Sequence, residues 1–396
     1  METVVIIGAG QAGAGAALQL RSLGFGGPVV LIGEEPDPPY ERPELSKGYA
    51  TGKVEFDKLV VLTPDAAGER NIDLRLGRSV REIDRAARRV RLGDEWIAYD
   101  HLIFATGGSA RRIPLPARLA AKTLAIRTRS DSDALRTALR TARSVAVIGG
   151  GWLGLEAAAT CRAAGLEVHV IEAAPRLCAR VAPSWLSGRL AALHGDHGVT
   201  VHLGAKPAFT AEGSVEVKGT WLDPDLAILS IGMSANDILA RQMGLACADG
   251  IEVDTAGRTA DPAIFAIGDC ARYRERGGER RESWQNANRS AERVARTILN
   301  LPGPAEDADW FWSNQFDQNI QILGFCADDF DQLDRFDAAR GAHLRFFLRE
   351  GCLAGCIGIN AARDIGMCRR LLREGTALNE GSLANPSVPV KNCVLE

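Results

Sequence analysis

Six glycines carry the first chemical signal. Gly8, Gly10 and Gly13 stand in the spacing G-x-G-x-x-G, and Gly149, Gly151 and Gly154 repeat it 141 residues later. In that spacing the first glycine allows a tight turn, the second lets backbone approach a pyrophosphate, and the third lets a helix pack on a strand. The phosphates then lie at a helix N-terminus, where free N–H groups and the helix dipole favour anions. An acid follows each copy, Glu34 after the first and Glu172 after the second. A carboxylate there accepts hydrogen bonds from ribose hydroxyls and repels a 2′-phosphate, so Glu172 favours NADH over NADPH. Arg176 and Arg180 lie just beyond. They read as solvated loop charge, the alternative being a softening of that preference.

Each copy needs a frame. Residues 4–20 (VVIIGAGQAGAGAALQL) and 145–161 (VAVIGGGWLGLEAAATC) are apolar runs that lead into Ala/Leu-rich helical stretches. Second strands follow at 28–35 and 167–172, so the chain carries one βαβ unit twice. Two such units fit one bound FAD and one exchanging NADH, with the flavin facing the nicotinamide across the domain boundary. Apolar strands at 102–108 and 263–269 imply a return to the first domain after the second. The expected fold is α/β: two Rossmann-like dinucleotide-binding domains and a smaller α+β C-terminal domain. The expected boundaries are 1–110 and 241–305 for the FAD-binding domain, 111–240 for the NAD-binding domain and 306–396 for the C-terminal domain. Residues 310–347 hold nine of the chain's 23 aromatics, which marks the third core. Within it, 343–348 and 352–359 read as a hairpin turned at Glu350-Gly351, and the last dozen residues as a loose tail.

The totals exclude several classes. A net charge of −3 over 396 residues argues against a general nucleic-acid or membrane binder. Residues 3–20 carry no charge, but four glycines and two glutamines interrupt them, and a buried strand running into a glycine-opened helix explains them better than a membrane span. Nine cysteines without a C-x-x-C fit neither a zinc site nor a secreted disulfide framework, and a reducing, cytoplasmic compartment is expected.

The motifs resemble those of the FAD/NADH-dependent ferredoxin reductases of bacterial oxygenase systems, the family of putidaredoxin reductase and biphenyl dioxygenase reductase. The resemblance rests on GAGQAG at 8–13, PYERPELSKGYATG at 39–52, LIFATGG at 102–108, GGGWLGLE at 149–156, AIFAIGDC at 263–270, ESWQNA at 282–287 and WFWSNQFD at 310–317. It implies roles at matching positions. Arg42 and Lys47 contact FAD, with Lys47 at the flavin edge and paired with Glu156 as the catalytic pair. Val80 lies on the adenine side, Arg127 on FAD, Asp269 at the ribityl chain and Trp284 beside the pyrimidine edge. Thr106, Gly107, Leu153 and Gly232 complete the cofactor contacts. Glu44 replaces a second proline usual in the family, and 232–237 (GMSAND) is a variant run.

The resemblance also implies the reaction: hydride from NADH to FAD, then single electrons to a 2Fe–2S ferredoxin feeding an oxygenase. No cysteine precedes Cys161, so a redox thiol pair beside the first unit is absent and electrons leave by another route. Arg289, Arg293 and Arg296 form one helical stripe opposite Ala291, Val294, Ala295 and Ile298. A solvated helix face explains the arginines; the alternative is a docking surface for an acidic ferredoxin, with Trp312 on the electron path. Trp310 reads as a core residue. Other carrier reductases such as rubredoxin reductase, a flavin monooxygenase, and a redox-signalling flavoprotein resembling apoptosis-inducing factor are the rival readings.

Overall fold

The structure, a computed structural model, describes residues 1–395, with backbone alone for Arg276. The chain forms two compact units. The first comprises Met1–Glu44, Val54–Ser109 and Met233–Ala305; the second takes Leu45–Lys53, Ala110–Gly232 and the chain from Glu306 onward.

The first unit is built on a five-stranded parallel sheet in the order Ile264–Ala266, His101–Phe104, Val4–Ile7, Val29–Ile32, Ile72–Arg75. Strand residues alternate between faces, and here both faces are covered, so the strands read as unbroken apolar runs. Val4 and Ile6 pack with Ala14, Ala17 and Val294, while Val5 and Ile7 pack with Val90, Ile251 and Tyr273. The helix Gln11–Ser22 makes the crossover from the first strand to the second, and the helix Trp284–Ile298 packs against it. The stripe Ala291, Val294, Ala295 and Ile298 is the buried face of that second helix.

The second unit repeats the plan. Its parallel sheet runs Val199–Leu203, Glu167–Glu172, Ser144–Ile148, Leu226–Leu229, Thr123–Leu124, with the helix Trp152–Ala163 as crossover. The same unit holds a five-stranded antiparallel sheet ordered Trp310–Gln315, Gln318–Gly324, Cys352–Ile359, Ala342–Arg349, Asp331–Asp337, against which the helix Ala362–Glu374 lies. Glu350 and Gly351 sit at φ 53° and 73°, the double left-handed geometry of a two-residue hairpin.

The loose tail expected for the last dozen residues is corrected. Asn379 N–H donates to the Cys393 carbonyl and Leu395 N–H to that of Ala377. Arg335, 2% exposed, donates to the carbonyls of Leu383, Pro386 and Val388. Order here comes from individual backbone bonds, which leave no periodic trace in sequence. No described helix is long and apolar enough to cross a membrane.

Candidate functional site

Most of the expected cofactor residues gather where parallel strands end, the edge at which open α/β sheets bind ligands. In the first unit Gly8 follows Val4–Ile7, Glu34 follows Val29–Ile32, Thr106 and Gly107 follow His101–Phe104, and Asp269 follows Ile264–Ala266. In the second, Gly149 follows Ser144–Ile148, Glu172 ends its strand, and Gly232 comes three residues after Leu229.

The six glycines fall into two kinds. Gly8 and Gly149 both sit at φ 110°, and a Cβ there would come within 2.2 Å of the Ala105 carbonyl oxygen or 2.1 Å of that of Ser230. At Gly13 and Gly154 a Cβ would lie 1.9 Å and 2.1 Å from the Gly8 and Gly149 carbonyls. Internal packing demands these four. Gly10 and Gly151 differ: φ is an ordinary −87° and −81°. A Cβ would meet only the Arg42 Nη2 at 4.0 Å in the first case and nothing within 4 Å in the second. Both open helices that lack a side-chain cap and a first-turn acid. By contrast, Thr128 and Ser283 cap the helices they precede. Two uncapped twelve-residue helices, each opening on space that a side chain would fill, fit the pyrophosphates of two dinucleotides.

The acids differ between the units. Strand register places Ile7 beside Ile32 and Ile148 beside Ile171, so Gly33, not Glu34, stands where Glu172 stands. Glu172 is held by the N–H groups of Gly150 and Ala174, both at 2.7 Å. Glu34 is exposed and accepts from Ser79 Oγ at 3.2 Å. Its neighbour Glu35, which the motif did not single out, binds Arg42 Nη2 and Tyr40 OH, each at 2.6 Å. Arg176 is engaged by the carbonyls of Ala179 and Ala182 and by Ser187 Oγ, whereas Arg180 is exposed.

Other expected residues take varied positions. Val80 is buried at the start of the strand Val80–Asp84. Thr106 is pinned by Asn236, whose carbonyl accepts its hydroxyl at 2.7 Å and whose Nδ2 donates to its carbonyl at 3.0 Å. Trp284 Nε1 donates to Glu41 Oε1 at 3.1 Å. Arg127 belongs to the second unit, where its N–H donates to Asp131. Leu153 is a partly exposed apolar residue just inside the second uncapped helix.

Lys47 and Glu156 form the ion pair, at 3.1 Å and both largely buried. Glu156 Oε2 accepts from Ser46 Oγ at 2.8 Å, Oε1 from Ser313 Oγ at 2.6 Å, and Ser46 in turn gives its carbonyl to Thr160. Burial pushes the Glu156 carboxyl above its usual value, while Lys47, Ser313 and Ser46 pull it down. The geometry follows from two periods. Four residues along a helix rise about 6 Å and two along a strand about 7 Å. Trp152 and Glu156 therefore face Phe311 and Ser313, and the Trp152 and Phe311 rings lie 4.9 Å apart. Trp312, on the opposite strand face, stacks on Trp310 at 4.8 Å, and Lys47 Nζ lies 6.0 Å from its ring centre. Trp310 also donates Nε1 to Gln321.

On the helix Trp284–Ile298, Arg296 pairs with Glu292 at 2.8 Å and is thus partly neutralised, while Arg289 and Arg293 share the half-buried face. The described cysteines are all free, and none lies in the first glycine motif.

Comparison with known proteins agrees with this architecture. Residues 2–291 match the Pyridine nucleotide-disulphide oxidoreductase family and residues 310–394 match the Reductase C-terminal family. The chain belongs to the pyridine nucleotide-disulphide oxidoreductase family, with the α/β dinucleotide-binding fold and a smaller C-terminal domain. It is 36% identical over 400 residues to the 5,5′-dehydrodivanillate O-demethylase ferredoxin reductase subunit of Sphingobium sp., covering 98% of this chain and 97% of that protein. Among solved structures, the ferredoxin reductase for the CYP199A2 system of Rhodopseudomonas palustris is 36% identical with a TM-score of 0.91, covering 99% of both chains. Putidaredoxin reductase in its covalent complex with putidaredoxin is 31% identical with a TM-score of 0.91, covering 98% of this chain and 97% of that one.

Proposed function

We propose that the chain is an NADH-dependent ferredoxin reductase of an oxygenase system, with FAD held by the first unit and NADH exchanging at the second. The carrying observation is the pair of uncapped, glycine-opened helices, one per unit, in a chain whose relatives are ferredoxin reductases. The reaction balances as NADH and two oxidised 2Fe–2S ferredoxins giving NAD⁺, one proton and two reduced ferredoxins. A bound FAD supplies the acceptor for the hydride and the step-down from an electron pair to single electrons.

The protein's own groups position and tune. The first helix N-terminus offers positive potential to a pyrophosphate, and Arg42, ion-paired with Glu35 at 2.6 Å, stands within reach of the space over Gly10 as a further donor. Glu172 presents a fixed carboxylate to an adenosine ribose and repels a 2′-phosphate. Arg176 has its Nη donors bound to its own loop and to Ser187, which leaves them unavailable to a 2′-phosphate and supports NADH over NADPH. Lys47 brings a desolvated cation that stabilises negative charge developing nearby, and Glu156 keeps it in place. For the protein partner, Arg289 and Arg293, flanked by Arg296, form the basic face for an acidic ferredoxin, with Trp312 beside Lys47 on the electron path.

The test is the purified protein's colour and its turnover. It should be yellow with FAD, oxidise NADH faster than NADPH, and reduce a 2Fe–2S ferredoxin from a broad panel. A protein that stays colourless after incubation with FAD removes the whole reading; a yellow one that no ferredoxin accelerates removes the partner.

A further inference from the structure

Glu156 stands at the end of a longer line of polar groups that the reaction as described does not use. Its Oε1 accepts from Ser313 Oγ at 2.6 Å; Ser313 Oγ accepts from Gln315 Nε2 at 3.1 Å; and Gln315 Oε1 lies 2.8 Å from His194 Nε2. All four side chains are buried, His194 and Ser313 completely. The line joins the helix Trp152–Ala163, the strand Trp310–Gln315 and the helix Ser184–Asp196, all within the second unit.

Each bond fixes the direction of the next. An amide oxygen can only accept, so His194 carries its hydrogen on Nε2. An amide nitrogen can only donate, so the Ser313 hydroxyl receives from Gln315 and turns its own hydrogen onto Glu156. His194 Nδ1 is buried without a partner. A proton there would be an orphaned buried donor, which disfavours both the charged ring and the other tautomer. Burial likewise pushes the His194 pKa down. The clamp on this end is Phe316, which follows Gln315 at a left-handed φ of 54°, costly for an aromatic residue. Its ring stacks on His197 at 3.8 Å and meets His194 edge-on at 5.2 Å. A reversed Gln315 amide would draw the Ser313 hydrogen to itself and leave Glu156 with one donor fewer.

We propose that Ser313, Gln315 and His194 are positioning residues: a one-way hydrogen-bond chain that holds Glu156 ionised opposite Lys47. The chain does not conduct protons, because an amide passes one only through an unfavourable tautomer. Its function is static, adding a third oriented donor to those of Lys47 and Ser46. The proposal rests on the reading of Lys47 and Glu156 as flavin-side machinery, and two of its three tests need no turnover.

The experiment uses the intact, purified protein. In ¹⁵N-histidine NMR, the resonance missing from His194→Gln should report a neutral ring protonated at Nε2. In infrared difference spectra at neutral pH, Ser313→Ala should gain a protonated-carboxyl band absent from the wild type, from Ser313→Thr and from Ser313→Ala/Glu156→Gln. In rapid mixing with NADH, Ser313→Ala should slow flavin reduction about tenfold, the effect of one hydrogen bond to a charged group, at unchanged KM for NADH. Ser313→Thr should restore the rate. A charged or Nδ1-protonated His194 overturns the chain, as does a folded Ser313→Ala with no new band and the wild-type rate. Should Ser313→Ala fail to fold, the NMR result on the unaltered protein decides. A wild type that ignores NADH yet passes the NMR and infrared tests defeats the proposed function and not the chain.

Discussion

The two glycine-opened helices begin alike and end in different employment. Gly15 and Glu156 occupy the same position of the repeat, two residues past the third glycine. At Gly15 a Cβ would lie 3.3 Å from that of Ala291, so glycine lets the helix Trp284–Ile298 approach closely. At the equivalent point the second helix carries a buried carboxylate held by Lys47, Ser46 and Ser313. The loops trade volume in the same manner. In the first unit Ala9 fills the space beside Gly33, where a Cβ would come within 2.7 Å of it. In the second, Gly150 leaves that space to Glu172. The first helix is packed closely against another helix; the second carries a buried ion pair and an exposed leucine, Leu153, in its first turn. A local motif specifies a tight turn and an uncapped helix start; its neighbours decide what surrounds them.

The largest effect that would break this contrast is expected at its centre. Glu156→Leu leaves Lys47 buried without its carboxylate and should cost about 4 kcal/mol, read as a fall in denaturation midpoint. A variant as stable as the wild type would show that the pair carries no strain of desolvation. Next, Gly154→Ala should cost about 3 kcal/mol by overpacking against the Gly149 carbonyl. Gly151→Ala should change stability by less than about 0.5 kcal/mol and yet raise KM for NADH. Equal behaviour of the two variants would erase the distinction between packing and cradle glycines.

Glu172→Ala should reduce the preference for NADH over NADPH about tenfold, measured as the ratio of kcat/KM values. An unchanged ratio refutes its ribose role. Arg293→Glu should slow reduction of an acidic ferredoxin several-fold at low salt, on the order of a rim-charge effect, and leave NADH-driven dye reduction alone. If salt erases no part of the difference, the basic face is not a docking surface.

The smallest expected effect is on acid stability. Burial depresses the His194 pKa below the ordinary histidine value of about 6.5, so the folded state takes up fewer protons than the unfolded chain as pH falls. The stability this contributes is present above about pH 6.5 and is lost below it. His202, whose pKa is lowered by burial, His169 and Lys218, acts in the same direction. Denaturation midpoints between pH 7 and 5 should therefore fall less steeply in His194→Gln than in the wild type; parallel curves would assign the slope elsewhere.

Much of this was readable in the residues. Glycine spacing, β-branched runs and Ala-rich helices mark the two βαβ units because each reports a local steric demand. The Glu350-Gly351 turn was legible for the same reason. The ordered tail was not, since irregular backbone pairing has no period. That Gly33 rather than an acid stands at the position of Glu172 is not legible either, because strand register is a tertiary fact. Ser46 sits in the quoted LSK run and Ser313 and Gln315 in the quoted WFWSNQFD run, but nothing in the sequence joins them or His194 to Glu156, from which Ser313, Gln315 and His194 lie 38 to 159 residues away and which only packing brings to them.

What the sequence by itself determined is therefore the pair of seats: where backbone must turn tightly, where a helix must begin uncapped, and which acids stand near. Only the tertiary structure decided their environments. Burial, register and the meeting of strand and helix periods arise between segments distant in the chain, and it is those meetings that desolvate Lys47 and Glu156 and aim three hydroxyl and amine donors at one carboxylate.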